Sequence, residues 1–397
     1  MSKLERLIQQ YCPDGVEYYK VKDIYKRIKG TPITAGKMKE IANSSGSVRI
    51  FAGGKTAIDA NEEDIPNATI TKVPAVLVQS RGVIDVIYYD KPFTFKNELW
   101  GYTTDNKIAV KYLYYVLKNN VQVFRDAASG MGALPQISLK VTEDFEIPVP
   151  PLPVQEEIVR ILDTFTELQA ELQAELQKRQ QQYNFYRDNL LNFNREGQEI
   201  KWMKLKDVAI QWYRGAGIKR DEVGKEGTPC IRYGEIHTTY NIWFKKCISH
   251  TDEYKQATKK YAEYGDILFA ITSEDIPLVG NSVAYLGKEK ILVGGDIVVM
   301  KHNQDPKYMA YALSTSDAIK QKGKGKVKSK VVHTNVPSLQ EIVIPIPPIE
   351  EQQRIANILD RFDTLTNDLT SGLPAEMEKR RQQYEYYRDR LLTFKRL

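Results

Sequence analysis

Residues 178–193 read KRQQQYNFYRDNLLNF, and residues 379–394 read KRRQQYEYYRDRLLTF. A second match precedes this one in each half, because IPVPPLPVQ at residues 147–155 returns as IPIPPIEEQ at residues 344–352. Position 379 follows position 178 by 201 residues, whereas the units of solenoid proteins span about 20–50 residues. The sequence therefore predicts a duplicated unit in which a helix is repeated and the rest of each half differs.

A long helix is predicted between the two matching segments of each half. The stripe of the first copy, mostly apolar, follows a seven-residue spacing and consists of Ile158, Leu162, Phe165, Leu172, Leu176, Arg179, Tyr183, Tyr186 and Leu190. The stripe of the second copy consists of Ile355, Leu359, Phe362, Leu369, Tyr384, Tyr387 and Leu391. Such a repeat is typical of coiled-coil-like pairing, and a helix from Gln155 to Phe193 would be about 58 Å long at ~1.5 Å per residue.

The other copy is the expected partner of each stripe. Packing of each helix on its own domain alone is the less favoured alternative, because a stripe this long extends beyond a small domain. In the second copy, Gly372-Leu373-Pro374 predicts a kink or a break.

The sequence predicts an α+β fold with two variable domains of mixed α and β structure. Strand-like runs rich in β-branched and aromatic residues occur at 75–78, 83–89, 266–271 and 297–300. Helices are predicted at 2–11, 107–119 and about 306–320, and the Pro-rich segment at 147–153 is expected to interrupt all secondary structure. The predicted modules are a domain at 1–146, a Pro-rich segment and helix at 147–197, a domain at 198–343, and a Pro-rich segment and helix at 344–397.

Composition indicates an ordinary globular protein. The 397 residues are 42% hydrophobic and 27% charged, with a formal net charge of +6. The mild positive charge favours nucleic acid as a partner but fits a solvated surface equally well. Cys12, Cys230 and Cys247 form no metal-ligand spacing, and no apolar run long enough for a signal or membrane helix occurs. We therefore expect a cytoplasmic protein with no membrane association.

Together, these segments resemble the specificity subunit of type I restriction–modification systems. The resemblance covers essentially the whole chain and includes the opening YCPDGV at residues 11–16. It implies two target-recognition domains that each read one half of a bipartite DNA site. It also implies that the two helices pair antiparallel, set the spacing of the halves and bind two methyltransferase (modification) subunits, through which restriction or translocase subunits join. Double-stranded DNA would be the ligand, and the chain would be non-catalytic.

Antiparallel helices would relate the two domains by an approximate two-fold axis, as in dimeric repressors that bind half-sites about 34–36 Å apart. Because the domains differ in sequence, the target should be asymmetric and interrupted. Candidate base contacts are residue types that bridge guanine or adenine edges. In the first half they are Arg49, Lys55, Thr56, Gln79, Ser80 and Arg81, and in the second Arg214, Lys219, Arg220, Arg232, Tyr233, Ser273 and Asn335. Any single one of them is more commonly a surface or structural residue.

Lysines occupy every second position from 320 to 330, namely Lys320, Lys322, Lys324, Lys326, Lys328 and Lys330. In an extended chain their ammonium groups would lie on one side and suit phosphate contact. The alternative is a solvated charged loop. We favour phosphate contact, because the segment follows a domain helix, as residues 129–136 do in the first half.

Residues 169–172 (QAEL) are repeated at once at 173–176. Four residues advance a helix by about 6 Å and about 400°, so one unit more or less could change the spacing of the domains while keeping the apolar face. The same letters are also good helix formers that serve as filler.

No cofactor motif is present. The Gly53-Gly54-Lys55-Thr56 run lacks the first glycine of a P-loop, since Arg49 stands there. No glycine-rich loop for a methyl donor, metal-ligand motif or nucleophile elbow occurs either. A methyltransferase or nuclease is therefore disfavoured, and a protein-binding adaptor without DNA specificity is the remaining alternative. The tyrosines and arginines at the helix ends (Arg179, Tyr183, Tyr186, Arg187, Arg380, Tyr384, Tyr387 and Arg388) either form a partner interface or stabilise the helix pair.

Overall fold

The computed structural model describes residues 2–54, 56–129, 134–193, 200–274, 278–323, 326–328, 331–367 and 372–397. Its contacts divide the chain into two compact units. The first unit contains Met1–Glu171 and Glu378–Leu397, and the second contains Leu172–Met377. Both divisions fall within helices, so the repeated helices contribute one part to each unit. This division into two units does not test the four modules predicted from the sequence, which remain a prediction.

The helices of the described residues are α1 (Lys3–Tyr11), α2 (Val21–Ile24), α3 (Ala35–Ile41), α4 (Lys107–Asn119), α5 (Val121–Asp126), α6 (Leu139–Glu143), α7 (Leu152–Leu190), α8 (Leu205–Val208), α9 (Tyr233–Thr238), α10 (Pro306–Leu313), α11 (Ser316–Lys322), α12 (Val336–Gln340), α13 (Ile349–Asn367) and α14 (Leu373–Leu391). Short 3-10 turns lie at Glu62–Asp64, Arg220–Glu222 and Glu253–Lys255.

The strands are β1 (Tyr18–Lys20), β2 (Lys26–Ile28), β3 (Val48–Phe51), β4 (Ala57–Ala60), β5 (Ala75–Gln79), β6 (Asp85–Tyr89), β7 (Phe93–Phe95), β8 (Leu99–Thr103), β9 (Glu146–Pro148), β10 (Lys201–Lys204), β11 (Ala209–Arg214), β12 (Val223–Gly224), β13 (Thr228–Ile231), β14 (Trp243–Phe244), β15 (Ser249–Thr251), β16 (Tyr261–Ala262), β17 (Ile267–Ala270), β18 (Thr272–Ser273), β19 (Ser282–Tyr285), β20 (Ile291–Val293), β21 (Ile297–His302), β22 (Lys326–Lys328), β23 (Val331–His333) and β24 (Val343–Ile346).

In the first unit, α4 packs on a four-stranded antiparallel sheet of order β2-β8-β5-β6. All five residues of β5 are buried, as expected of a central strand with β-branched residues. Asn106 caps α4, since its side chain accepts hydrogen bonds from the amides of Ile108 and Ala109. A three-stranded sheet, β4-β3-β7, completes the domain. The helix predicted at 107–119 is confirmed at both ends.

In the second unit, two five-stranded sheets have the orders β11-β21-β17-β19-β14 and β12-β15-β13-β20-β16. Helix α10 packs on β19 and β17 of the first sheet, as α4 packs on its own sheet. The single helix predicted at about 306–320 is wrong in one respect, because α10 ends at Leu313 and α11 begins at Ser316. Thr315 caps the new helix by accepting from the Ala318 amide, which explains the interruption.

The expectation that the Pro-rich segment at 147–153 interrupts all secondary structure is wrong, and the second Pro-rich segment behaves as the first does. Residues of these segments form the edge strands β9 and β24, which pair antiparallel with β1 and β10. Proline is tolerated there because an edge strand does not need every amide donor. Helix α7 begins at Leu152 rather than Gln155, since Pro153 fits the first turn of a helix, and it ends at Leu190 rather than Phe193.

The first turns of each long helix belong to the core of a domain. Ile158 and Leu162 are fully buried in the core that contains α4, and Ile355 and Leu359 are buried likewise in the core of the second unit. For these positions the interpretation that the stripe packs on its own domain is correct. From Phe165 onward, residues of the stripe contact the other repeated helix.

Aromatic stacking shows how the helices pair within each unit. In the first unit, the rings of Phe165 (α7) and Tyr387 (α14) stack with centroids 5.8 Å apart. In the second unit, the rings of Tyr186 (α7) and Phe362 (α13) stack at 5.7 Å. An early residue of one copy meets a late residue of the other in both cases, so the pairing is antiparallel, as the resemblance implied. Beyond Asn367 the second copy is described again from Gly372, as a separate helix, α14.

Candidate nucleic-acid interface

A concave cleft of about 810 Å³ lies at one end of the sheets of the second unit. The end of β11, the loop after it, the start of α9 and the turn before β21 supply its walls. Its lining consists of Arg214, Gly215, Gly217, Ile218, Arg220, Arg232, Tyr233, Gly234, Gly294, Gly295 and Asp296. The fold therefore brings Arg214, Arg220, Arg232 and Tyr233, all selected from the sequence, to one site.

Glycines allow three backbone segments to meet at this cleft. A Cβ on Gly215 would lie 2.1 Å from the carbonyl oxygen of Gly294, so no side chain fits at that position. The amide of Ala216 donates to Val293 O, and the amide of Gly294 donates to Ile231 O, each at 2.9 Å. Backbone contacts thus hold the segments together, and the charge of the cleft comes from its arginines.

The three arginines of the cleft have different environments. Arg214 donates to the carbonyl of Gly295, and its Nη2 lies 2.8 Å from a carboxylate oxygen of Asp296. The Nε of Arg232 is buried without a hydrogen bond and lies 3.8 Å from Glu235. Arg220 is exposed, and its side chain has no hydrogen bond or ion pair among the described residues. Because three guanidinium groups face one lining carboxylate, the cleft keeps a positive charge and unused donors.

Strand β18 contacts α9, the helix whose start lines this cleft. The His237 Nε2 of α9 is 3.0 Å from the carbonyl oxygen of Thr272, and Ser273 pairs with Val332 of β23. Strand β22 pairs in turn with β23, so the backbone of Lys326–Lys328 extends the sheet that starts at β18. Part of the lysine-rich segment therefore lies on the same sheet as Ser273, which is itself buried.

The prediction that the alternating lysines lie in an extended segment is wrong for Lys320 and Lys322, because both lie in α11. Lys322 is buried, and its Nζ lies 3.0 Å from the Ser282 hydroxyl oxygen and 6.0 Å from the centroid of the Phe269 ring. Burial lowers the pKa of Lys322 to about 7. Lys324 and Lys330 lie outside the described residues, as do the side chains of Lys326 and Lys328.

In the first unit, three of the predicted residues, Gln79, Ser80 and Arg81, lie at the end of β5. Gln79 and Ser80 are buried, with Gln79 Nε2 3.4 Å from Ala52 O and Ser80 Oγ 2.6 Å from Glu98 O. These two side chains hold the strand end to its neighbours. Arg81 is exposed, and its side chain has no hydrogen bond or ion pair among the described residues, as is also the case for Arg220.

The remaining candidates lie at the surface. Arg49 is half-buried on β3, where its Nε is 3.8 Å from Asp59, and Thr56 is exposed in the turn between β3 and β4. Lys219 is exposed, and the side chain of Asn335 caps α12 by accepting from the Ser338 amide. Lys55 lies outside the described residues.

The same backbone contact anchors a loop at this end of both units. The Ile137 amide donates to Ser80 O at 2.9 Å in the first unit, and the Thr334 amide donates to Ile271 O at 3.0 Å in the second. The residues that directly follow the segments at 129–136 and 323–333, Ile137 and Thr334, are therefore held to the sheet in the same way. Asp296, which holds Arg214, was missed by the sequence analysis, although the preceding glycine pair signals a tight turn.

The predicted helix-pairing residues divide between buried and exposed positions. Tyr183 is buried, and Leu172, Leu176, Leu190, Tyr384 and Leu391 are half-buried. Tyr186, Phe362 and Tyr387 remain about two-fifths exposed although they stack in the pairs given above. Arg187 and Arg388 lie over the rings of Tyr183 and Tyr384 in the two copies, each at 5.6 Å. Leu369 lies outside the described residues.

Among the described residues, no group of three or more His, Cys, Asp or Glu side chains could hold a metal ion. Within that same part of the chain, no helix is long and apolar enough to cross a membrane.

Comparison with known proteins identifies the family. The model of the type I restriction modification DNA specificity domain matches this chain twice, at residues 13–179 and 198–379. The EcoR124I/EcoR124II specificity subunit of Escherichia coli is 34% identical over 312 residues, which cover 73% of this chain and 72% of that protein. A putative type I specificity subunit of Mycoplasma pneumoniae is 27% identical over 96% of this chain and 98% of its own length.

Solved structures agree on the fold. The type I restriction–modification S subunit from M. genitalium superposes with a TM-score of 0.56 at 15% identity, covering 96% of this chain and 97% of that one. A chain from work on complex assembly and conformational transition of the type I R-M system gives 0.58 at 14% identity, covering 96% and 98%. The chain belongs to the family of type I restriction modification DNA specificity proteins.

Proposed function

We propose that this chain gives a type I restriction–modification complex its DNA sequence specificity, with each recognition domain reading one half of an asymmetric bipartite site. The proposal rests on one observation, which is that the two units share a set of equivalent elements but present different polar residues. Equivalent helices, strands and loop anchors recur in both units, but one unit presents Arg81 beside buried polar residues and the other presents an arginine-lined cleft. A shared frame with different polar ends suits two different half-sites.

The cleft has the chemistry for DNA contact. A guanidinium group can bridge the O6 and N7 atoms of guanine or pair with phosphate. Within the described part of the chain Arg220 has no side-chain partner and can take either role, and the Arg232 side chain is 33% exposed with its Nε buried beside Glu235. Arg214 is held by Asp296, so it supplies charge in a fixed position. The double-stranded DNA of the target would release counterions when these groups meet phosphates.

The repeated helices are the proposed binding site of two methyltransferase subunits, through which restriction or translocase subunits would join the complex. Phe185 and Tyr386 occupy the same position of the two copies and are 63% and 60% exposed. Large exposed aromatic residues are typical of interface hot spots. Two equivalent positions support two copies of one partner. Methylation and cleavage would then reside on the partner chains, and this chain would use no cofactor.

The test is a methylome. The chain is co-expressed in an unmethylated host with the methyltransferase subunit of its own system, and modified bases are located by sequencing. One interrupted, non-palindromic motif that requires this chain is the expected result. Arg81→Ala should weaken or relax the first half-site alone, and Arg232→Ala the second alone. Lys201→Ala is the matched control, because it removes one charge at an exposed residue that does not line the cleft.

Other results would favour the alternatives. A stable protein complex without any new motif would support a helical-hairpin adaptor that binds proteins only. Methylation or cleavage by the purified chain alone would support an enzyme. A palindromic motif would contradict the assignment of one different half-site to each domain.

A further inference from the structure

A hydrogen-bonded network of three side chains is repeated in the two units. In the first unit, Asp163 of α7 accepts from the Tyr115 hydroxyl at 2.5 Å and from Lys111 Nζ at 2.8 Å. Both donors lie on α4, four residues apart, and therefore on one face of that helix. Each carboxylate oxygen of Asp163 thus takes one donor from the recognition domain.

The second unit repeats the arrangement with equivalent residues. Asp360 of α13 accepts from the Tyr311 hydroxyl at 2.8 Å and from Lys307 Nζ, both on α10. Trp243 Nε1 adds a third donor at 3.0 Å. The rest of the two domains differs in sequence, yet this network is kept in both, so it serves a task that the domains share.

The network is a second attachment of the domain to its helix. The first attachment is the Pro-rich segment, where the Tyr112 hydroxyl donates to Pro148 O at 3.2 Å and Gln155 Nε2 donates to Pro150 O at 2.8 Å. Asp163 lies eight residues beyond Gln155, about 12 Å along the helix. Between these two points Ile158 and Leu162 are buried in the domain core, so the network adds a polar contact at the end of the helix segment that packs on the domain and resists tilting of the helix about that core.

Burial makes the network strong enough for this task. The side chains of Asp163 and Asp360 are 26% and 19% exposed, and those of Lys111 and Lys307 are 31% and 29% exposed. Charge-assisted hydrogen bonds of partly buried groups are stronger than exposed ion pairs. The carboxylates also accept hydrogen bonds from the hydroxyls of Tyr115 and Tyr311. Burial raises the pKa of both tyrosines, so these hydroxyls stay neutral.

We propose that Asp163 and Asp360 are positioning residues that fix the orientation of each recognition domain on its helix and thereby make the complex strict about the spacing between its half-sites. The inference rests on the proposed function. An orientation that varies moves the DNA-contacting end of a domain along the duplex, where one base pair rises by about 3.4 Å. A loosened domain would therefore accept spacers that the wild-type complex rejects.

The test uses the full chain in complex with its methyltransferase subunits and duplexes that carry the methylome motif with its own spacer or with one base pair more or less. The single variants Tyr115→Phe and Tyr311→Phe each remove one hydroxyl and keep the ring, and the double variant removes both hydroxyls. Tyr25→Phe and Tyr213→Phe are the matched controls, because their hydroxyls donate to Ala109 O and Tyr261 O inside the domains.

We expect the preference for the correct spacer over the altered ones to fall about fivefold to tenfold in the double variant, as loss of hydrogen bonds to a charged acceptor implies. The single variants should show part of this loss, and the controls none. A merely structural role would weaken binding to all spacers alike and leave the preference unchanged, which would overturn the inference. Absence of sequence-specific binding by the wild-type complex would instead refute the proposed function.

Discussion

Arg220 and Arg232 line one cleft but differ in how they are held. Arg220 is exposed and has no partner among the described residues, whereas Arg232 is half-buried beside Glu235. A free surface cation suits phosphate, which carries no sequence information, and a held guanidinium suits a base edge. The two residues should therefore contribute differently to DNA binding.

We expect Arg220→Ala to weaken binding of all sequences and to lower the slope of log K against log salt by about 1. Arg232→Ala should relax the preference at one base of the second half-site, at a cost of about 1–3 kcal/mol. Affinities of the complex measured over a salt series for the cognate site and single-base variants separate the two effects. A uniform loss in both variants would contradict the distinction.

Lys322 is a buried cation with the Ser282 hydroxyl as its hydrogen-bonding partner. Its pKa is lowered to about 7 by burial, whereas an unfolded lysine has a pKa of about 10.4. The unfolded chain therefore binds more protons between these two values, and the free energy of unfolding should rise with pH over that range. At neutral pH the charge is a source of instability.

Replacement of this lysine by an apolar residue should stabilise the protein. Lys322→Met should raise the free energy of unfolding by about 2–4 kcal/mol near pH 7, and the gain should shrink as the pH approaches 10. Denaturant unfolding at several pH values measures this. Lys320→Met, at an exposed position of the same helix, should show no such pH dependence. An equal gain at pH 7 and pH 10 would show that packing alone is responsible.

Only some of the side chains at the candidate interface could be predicted from the sequence. Arg214, Arg220, Arg232 and Tyr233 were found from residue type and turn position, and they line one cleft. The alternating lysines were misjudged at Lys322, because alternation has meaning only in an extended strand and α11 continues to that residue. Burial of a long side chain depends on tertiary neighbours, which no local pattern reveals.

At the scale of elements, the helix pair rests on two equivalent aromatic stacks. Phe165 stacks on Tyr387 in the first unit, and Phe362 stacks on Tyr186 in the second. We expect double-mutant cycles with leucine at each pair to give a coupling of about 0.5–1.5 kcal/mol. Denaturant unfolding provides the free energies.

The control for these cycles combines Phe165→Leu with Phe124→Leu, since Phe124 packs on Phe145 instead. These two changes should be additive within about 0.5 kcal/mol. Additivity in the Phe165 and Tyr387 cycle as well would show that the stack contributes no pairing energy.

Elements stabilised by local interactions could be predicted from the sequence, whereas elements that depend on distant partners could not. Helix α4 was predicted at both ends because Asn106 caps it and its apolar period is regular. Strands β9 and β24 were missed because Pro148 and Pro345 discourage a strand prediction. Their pairing partners, β1 and β10, are more than a hundred residues away along the chain. The local sequence of a strand does not reveal a pairing partner that is so far away along the chain.

At the scale of the whole molecule, the length of α7 bears on the spacing of the half-sites. The division between the compact units falls between Glu171 and Leu172, inside the QAEL repeat. Leu172 and Leu176 are half-buried, while Ala170 and Ala174 are exposed. One copy of the unit is therefore a segment that can be lost with little effect on the domain cores, which lie in other parts of the helix.

Deletion of residues 173–176 should shorten α7 by about 6 Å and turn it by about 400°, which nearly preserves the apolar face. With about 3.4 Å per base pair, the preferred spacer should shorten by one or two base pairs while both half-sites stay the same. A methylome of the deletion variant measures half-sites and spacer together. Gln173→Ala, which keeps the length, is the control and should leave the motif unchanged. An unchanged spacer in the deletion variant would mean that the repeat is helix-forming filler without influence on the target, and altered half-sites would mean that the domains do not read DNA independently of the helix.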